Sequence, residues 1–233
     1  MSIEIDLHQI QKDVLVFLLF KRQENFSGLN RTGVPSDQFN FHLRRLIELG
    51  LVKRSKNKTY RLTPNGKEFS NRLDTESRTY EKQAKIGVLI CCVQEFGGET
   101  NYLIQQRLKE PYFGFYGFLT GKVRLGETVF ETALRELKEE TGYAGKVKLV
   151  GIKHKMDYSK DGNLLEDKFF FVMKATDIKG NMTKKFEGGR NIWATEKEIF
   201  KLPNLFDGVK DTLDLVKQNK VTFLEKQYKI SKF

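Results

Sequence analysis

Three glutamates near the middle of the chain have the residue type and the spacing of a metal site. Glu136, Glu139 and Glu140 occupy positions i, i+3 and i+4 of a segment with helical apolar periodicity, so a helix would place them on one face. Like charges on one face repel each other unless a cation binds there. Hard divalent cations such as Mg²⁺ prefer carboxylate oxygens and also bind phosphate oxygens. The spacing therefore predicts a site for Mg²⁺ (or Mn²⁺), an ion that can also bind phosphate oxygens.

The residues around these glutamates form a longer pattern. Gly121 is followed by Glu127 and then by the run Arg135-Glu136-Leu137-Lys138-Glu139-Glu140-Thr141-Gly142-Tyr143. This pattern resembles the Nudix box, which reads Gly, five residues, Glu, seven residues, then Arg-Glu-apolar-any-Glu-Glu-any-Gly-apolar. Every charged and glycine position is filled. Tyr143 is unusual in the last apolar position, and Thr120-Gly121-Lys122 stands where Pro-Gly-Gly is common, but neither departure removes a ligand.

The resemblance covers about residues 84–205 and implies a Nudix hydrolase, an enzyme that cleaves the diphosphate of a nucleoside diphosphate linked to another group. It implies that Glu136, Glu139 and Glu140 hold the metal ions, with the carbonyl oxygen of Gly121 as a further ligand. One of the glutamates would also orient or deprotonate the attacking water.

Other residues of the box receive supporting roles from the same resemblance. Arg135 and Glu127 would brace the loop–helix–loop through an ion pair. Gly121 and Gly142 would allow its tight backbone turns. The predicted catalytic set comprises two box glutamates, the box arginine and one acid from a later loop: Glu136, Glu139, Arg135 and Glu187.

That later acid is expected because related proteins supply another carboxylate from beyond the box. Glu187 lies six residues before Trp193 and is the candidate for a supplementary metal ligand or base. Glu166 and Asp167, which precede an expected strand, are the rival candidates. A solvated loop position is the alternative interpretation for each of the three acids.

The sequence identifies the residues of the substrate pocket less clearly than those of the metal site. Arg107 closes an expected strand, where its side chain could meet a phosphate. Residues 111–118 are rich in aromatic side chains, of which Tyr112 and Phe115 could stack on a base. The alternative is that most of these rings pack the edge of the sheet.

The N-terminal part of the chain has a different organisation. Helical spacing of apolar residues covers 7–20 and 36–49, and residues 51–63 form two short strands around a polar turn. A last helix opens at Pro64. The order helix, short helix, helix, basic hairpin, helix over residues 7–75 resembles the winged helix-turn-helix domain of MarR-like and related bacterial regulators.

The charge pattern of this part suits double-stranded DNA. Residues 53–61 contain basic residues and no acid: Lys53, Arg54, Lys56, Lys58 and Arg61. A wing with these residues can contact phosphates. The expected buried stripe of the second long helix is Phe39, Leu43, Leu46 and Ile47, which would turn Gln38, His42 and Arg45 towards base edges in a major groove. The alternative is a solvated surface on a domain that dimerises or docks.

These segments predict an α+β chain in which a winged helix precedes a Nudix α/β/α sandwich with a mixed sheet. The expected domains are residues 1–75 for the winged helix and 85–220 for the Nudix hydrolase. Residues 76–84 are polar and read as a linker. Residues 221–233 read as a basic C-terminal tail.

Composition limits the functional classes. The chain has 233 residues, 41 Lys and Arg against 30 Asp and Glu, and a net charge of +11. This excess favours polyanion or phosphorylated partners. No apolar run approaches the ~18 residues of a membrane span, and the N-terminus lacks a signal-like pattern, so we expect a cytoplasmic protein without a membrane partner. Adjacent Cys91 and Cys92 are expected to be buried core residues.

Two functional hypotheses follow from the sequence. The first is a metal-dependent Nudix hydrolase, expected to be a homodimer, whose N-terminal domain binds DNA or regulates transcription. The alternative is a transcriptional regulator whose Nudix domain senses a nucleotide such as ADP-ribose. The complete box favours catalysis, since a protein that only senses a nucleotide does not need every metal ligand. An N-terminal domain that serves only protein contacts is a third interpretation.

Overall fold

The computed structural model describes residues 6–31, 33–77, 82–218 and 220–231. The chain divides into two units, Met1–Lys82 and Gln83–Phe233. Within the described residues, the helices are α1 Gln9–Phe20, α2 Phe26–Leu29, α3 Ser36–Glu48, α4 Pro64–Ser70, α5 Val129–Thr141, α6 Glu196–Ile199 and α7 Val209–Lys217. In those parts of the chain, every helix is too short or too polar to span a lipid bilayer.

The strands belong to one small hairpin and one large sheet. They are β1 Val52–Arg54, β2 Tyr60–Leu62, β3 Lys85–Phe96, β4 Glu99–Arg107, β5 Tyr116–Gly117, β6 Leu119–Lys122, β7 Ala144–Tyr158, β8 Leu164–Lys179, β9 Lys185–Phe186, β10 Gly189–Thr195 and β11 Thr222–Lys229.

The first unit consists of α1 to α4 and the antiparallel hairpin β1–β2. Its core is formed by the apolar faces of the helices and the inward face of the hairpin, and includes Leu15, Phe39 and Leu46. A bridge between Glu24 and Tyr60 ties the segment before α2 to the hairpin. This order of elements is compatible with the winged-helix expectation.

The prediction that His42 lies on the exposed face of α3 was wrong, because its side chain points into the core. His42 is 8% exposed and stacks on His8 with ring centroids 4.3 Å apart. It lies three residues after Phe39 and four before Leu46, so it shares their side of the helix. Ile47 falls about 100° further round and is 37% exposed. Burial, and then the charge of His8, lower the pKa of His42.

The second unit is built on a mixed sheet with the strand order β11-β7-β8-β3-β4-β10-β9. The β3–β8 and β7–β11 pairs are parallel, and the other neighbours along this order are antiparallel. One face carries a core with α5, around Leu137 and Met173. The other face carries a core with α7, around Val172 and Leu213. The predicted α+β class with a mixed sheet is confirmed.

The C-terminal residues differ from the expected basic tail, because most of them form β11. Thr222–Lys229 pairs in parallel with Gly151–Tyr158 at the edge of the sheet. Alternate side chains face the molecule, with Leu224 partly buried and Tyr228 8% exposed. The polar residues Glu225, Lys226 and Gln227 between them conceal this period-2 pattern in a search for apolar runs.

Candidate active site

The box glutamates are positioned by α5, whose two ends are fixed by local hydrogen bonds. Thr128 caps the first turn, and Glu131 reaches back to the Thr128 backbone to complete a capping box. The helix ends at Gly142, which adopts a φ of 75°. Leu137 is fully buried against the sheet, so Glu136, Glu139 and Glu140 lie on neighbouring faces of the same two turns.

Gly121 has a different role from the predicted turn. It lies inside β6, opposite Val88 of β3, and its φ is not positive. A Cβ at this position would lie only 2.1 Å from Cγ of Glu136. The position therefore requires glycine because the Glu136 side chain packs directly onto the strand.

Arg135 connects the start of the box to its glutamates. Its Nε and Nη2 donate to the two carboxylate oxygens of Glu127 at 2.7 and 2.9 Å. Its Nη1 donates to Glu136 at 2.6 Å and to Glu139 at 3.2 Å. Because Arg135 donates to it, Glu127 has its pKa lowered to about 2. This geometry places Arg135 where the predicted brace would be.

Glu140 is the most enclosed of the three glutamates. Its Oε2 accepts a hydrogen bond from Nε2 of Gln105 at 2.9 Å, and its backbone carbonyl accepts one from Asn191 at 2.8 Å. Burial raises the pKa of Glu140, Gln105 opposes this shift, and the nearby charge of Glu136 adds to it. Sequence reasoning missed Gln105 and Asn191. The available signal for Gln105 was its place directly after the short apolar run of residues 102–104 in β4.

The donor set fits a hard divalent cation. Glu136 and Glu140 are close enough for one charge to raise the pKa of the other, and Gly121 leaves the space in which Glu136 lies. Carboxylate oxygens of this kind suit Mg²⁺ or Mn²⁺. Among the described residues, no three acidic, histidine or cysteine side chains are already gathered around one point. Arg135 contacts both Glu136 and Glu139, so ion binding requires rearrangement of these side chains.

The three candidates for a supplementary acid have different surroundings. Glu187 is exposed in the turn between β9 and β10. Glu166 is largely buried and pairs with Lys168, and Asp167 lies 2.8 Å from Nε2 of His154. Because Glu166 and Asp167 are already paired with Lys168 and His154, Glu187 is the candidate with an exposed and unpaired carboxylate among the described residues.

A cavity of about 110 Å³ lies on the α7 side of the sheet, the face opposite α5. Gln105 lines this cavity and also binds Glu140, so the cavity and the box share a wall. The apolar part of the lining includes Phe118, Phe170 and Phe206, and the polar part includes Lys153, Lys155 and Asp157. Such a mixture can enclose a flat ring and bind its polar substituents.

The predicted substrate residues lie at or near this cavity. Arg107 and Tyr112 line it. The Arg107 guanidinium donates to backbone carbonyls of the following loop, including that of Lys109 at 2.9 Å. The Tyr112 hydroxyl donates to Asp157 at 3.1 Å, and Phe115 packs against the Tyr112 ring with centroids 5.5 Å apart. In this structure Arg107 holds the loop and Tyr112 forms part of the cavity wall.

The predicted DNA-contacting residues do not share one surface. Gln38 and Arg45 are exposed on α3, where Arg45 pairs with Glu48 at 3.4 Å, while His42 is buried. Lys53 and Arg54 point to opposite faces of the hairpin, and the Arg54 guanidinium lies over the ring of Tyr60 at 5.8 Å. The last two predicted residues are exposed in the hairpin turn: Lys56 and Lys58.

Two relatives match part of the chain. An ADP-ribose pyrophosphatase of Methanocaldococcus jannaschii is 32% identical over 108 residues, which are 46% of this chain and 58% of that protein. An ADP-ribose pyrophosphatase of Saccharomyces cerevisiae is 36% identical over 88 residues, which are 36% of this chain and 37% of that protein. The matches therefore span less than two thirds of either relative.

Solved structures show the same fold. The mutator MutT protein of Bacillus halodurans matches with a TM-score of 0.50 and 24% identity, covering 62% of this chain and 90% of that one. The Nudix domain of Shewanella oneidensis NrtR, solved with ADP ribose, matches with a TM-score of 0.50 and 17% identity, covering 67% and 96%. The family model of the NUDIX domain matches residues 84–216, which is more than half of the chain. The chain belongs to the NUDIX family.

Proposed function

We propose that the second unit is a metal-dependent hydrolase that cleaves the diphosphate of a nucleoside diphosphate linked to a sugar, with ADP-ribose as the foremost candidate. The observation that carries this proposal is the shared wall between the box and the cavity, where Gln105 binds Glu140. Two relatives named ADP-ribose pyrophosphatase support the choice of ADP-ribose.

The side chains in and around the box would have different roles in such a reaction. Glu136, Glu139 and Glu140 would hold a divalent metal ion, which supplies Lewis-acid stabilisation of the diphosphate oxygens. Arg135 braces the start of the box through its two hydrogen bonds to Glu127. Gln105 orients the buried carboxylate of Glu140. Water adds to one phosphorus while the bond from that phosphorus to the bridging oxygen breaks, so that two phosphomonoesters form and the proton of the water is taken up by a carboxylate.

A substrate panel tests this proposal. The full chain with Mg²⁺ is expected to convert ADP-ribose into AMP and ribose 5-phosphate, measured by chromatography. Dinucleotides, sugar nucleotides and nucleoside triphosphates are compared at equal concentration. Turnover of another diphosphate in preference to ADP-ribose would change the assigned substrate, and no Mg²⁺-dependent turnover of any member would contradict the hydrolase assignment.

We also propose that the first unit binds double-stranded DNA, which would make the chain a nucleotide-responsive regulator as well as an enzyme. The observation that favours this second function is the acid-free hairpin segment 53–61, whose lysine and arginine side chains are exposed. Lysine and arginine side chains on such a surface release counterions when they contact phosphates.

An electrophoretic mobility shift with and without ADP-ribose tests this role. The full chain is expected to retard a duplex from its own upstream region at low salt, and ADP-ribose is expected to change the affinity if the two functions are coupled. Absence of any shift at 50 mM salt (a concentration at which nonspecific contacts still hold) would contradict DNA binding and favour a docking role.

A further inference from the structure

A groove in the first unit lies between the end of α1, the outward face of the hairpin β1–β2 and the start of α4. Its volume is about 780 Å³, and Leu18, Leu19 and Leu62 contribute to its apolar lining. The charged side chains around it are four cations and a single acid: Arg22, Lys53, Arg61, Lys67 and Glu68. We call these four cations the groove cations.

The groove cations lack carboxylate partners. Across the described ranges of the first unit, no carboxylate lies within ion-pairing distance of any of the four. The acid beside them, Glu68, pairs with Arg72 instead. The groove therefore presents uncompensated positive charge to solvent.

The register of the β1–β2 hairpin places two of the groove cations directly opposite each other. Val52 and Leu62 are directly opposite each other and are both buried, so the next pair, Lys53 and Arg61, must face outwards. Like charges directly opposite each other in a hairpin cost stability. An anion bound between Lys53 and Arg61 would relieve that repulsion.

The positive charge continues along the hairpin to its turn. Lys56 and Lys58 are exposed there, in the turn that follows Arg54 of β1. The exposed face of α3 is different, because it mixes Arg44 and Arg45 with the acids Asp37 and Glu48. A long row of cations matches a polymer with regularly repeated negative charge better than it matches a single small anion.

We propose that the groove binds the phosphodiester backbone of a DNA duplex, as a phosphate-contacting site separate from α3. This inference rests on the proposed DNA-binding role of the first unit and names the surface that carries most of its electrostatic affinity. Contacts of this kind weaken with salt in proportion to the number of phosphates neutralised.

The test measures the salt dependence of duplex binding by the full chain. In R22Q/K53Q/R61Q/K67Q the slope of log K against log salt concentration is expected to become shallower by about 3 to 4, because each lost phosphate contact removes about 0.9. The matched control K160Q/K197Q/K201Q/K210Q removes the same charge from exposed positions of the second unit and is expected to keep the slope. Hydrolysis should be unchanged in both.

Smaller variants guard against misfolding. The conservative variant R22K/R61K is expected to bind like the wild type. In K53Q/R61Q the slope of log K against log salt concentration is expected to become shallower by about 2. An unchanged slope in the groove variants, or an equal loss of slope in the control, would overturn the proposal that the groove contacts phosphates. DNA binding by another surface would still stand. A wild-type chain that binds no duplex would overturn both proposals.

Discussion

Replacement of Glu139 by glutamine is expected to lower kcat for diphosphate hydrolysis about a thousandfold, the scale on which a positioned acid, base or metal-stabilising group acts. Glu139 is about half exposed and contacts Arg135 at 3.2 Å and Arg124 at 3.8 Å. The amide keeps the shape of the side chain but removes the charge that a divalent cation requires. The measurement is initial-rate product formation across a Mg²⁺ titration.

The fold is expected to survive this substitution, because Glu139 has little buried contact. The unfolding curve of E139Q should therefore overlay that of the wild type. A matched control is E99Q, an exposed glutamate at the end of β4 remote from Gln105, which should retain full activity. Wild-type turnover by E139Q would remove Glu139 from the catalytic set.

Replacement of Lys153 by methionine is expected to stabilise the protein near pH 7 and to lose this advantage at alkaline pH. Lys153 is 1% exposed, and its Nζ donates to the carbonyl of Gly208 at 2.7 Å and to Thr212 at 3.3 Å. No carboxylate in the described ranges lies within ion-pairing distance of it. Burial of the ammonium lowers the pKa of Lys153 to about 8.

The direction of the pH effect follows from proton binding. The unfolded chain binds this proton up to its ordinary pKa of 10.5, while the folded protein releases it near 8. The wild type therefore gains stability as the pH rises from 8 to 10.5, by about 3 kcal/mol at 1.36 kcal/mol per pKa unit. Below pH 8 the full cost of the buried charge is present, and K153M avoids it.

Urea unfolding of both proteins between pH 7 and 10.5 measures the difference. Every other titratable group is present in both proteins, so we expect its contribution to cancel in the difference. The exposed Lys160, replaced by methionine, serves as the control and should show a constant difference. If the difference in the free energy of unfolding between K153M and the wild type does not change with pH, Lys153 is charged in the folded protein throughout this range.

The local parts of the site were accessible from the sequence. The Glu136, Glu139 and Glu140 spacing needs only the helical repeat to be read as one cluster. The ion pair between Arg135 and Glu127 was expected from the Nudix resemblance, and the structure places their side chains in bidentate contact. Thr128 and Glu131 form their capping box within one turn, where no distant residue is needed.

Other features depended on residues far apart in the chain. Asn191 reaches Glu140 because β10 pairs with β4, and this pairing also brings Asn191 opposite Gln105. Tyr143, the unusual residue of the box, is buried and its hydroxyl accepts a hydrogen bond from Trp193 at 3.1 Å. The aromatic ring is accommodated because its polar end has a partner on another strand.

By itself, the sequence determined the two-part organisation of the chain, the box and the chemical type of its ligands, because short-range periodicity and side-chain chemistry encode them. Only the tertiary structure decided which residues surround that site. Packing of α5 on the sheet placed Gln105 at Glu140 and made glycine necessary at 121. Strand pairing turned an apparent tail into β11. Packing also buried His42 and Lys153. Such outcomes depend on contacts between distant segments, and no local pattern specifies those contacts.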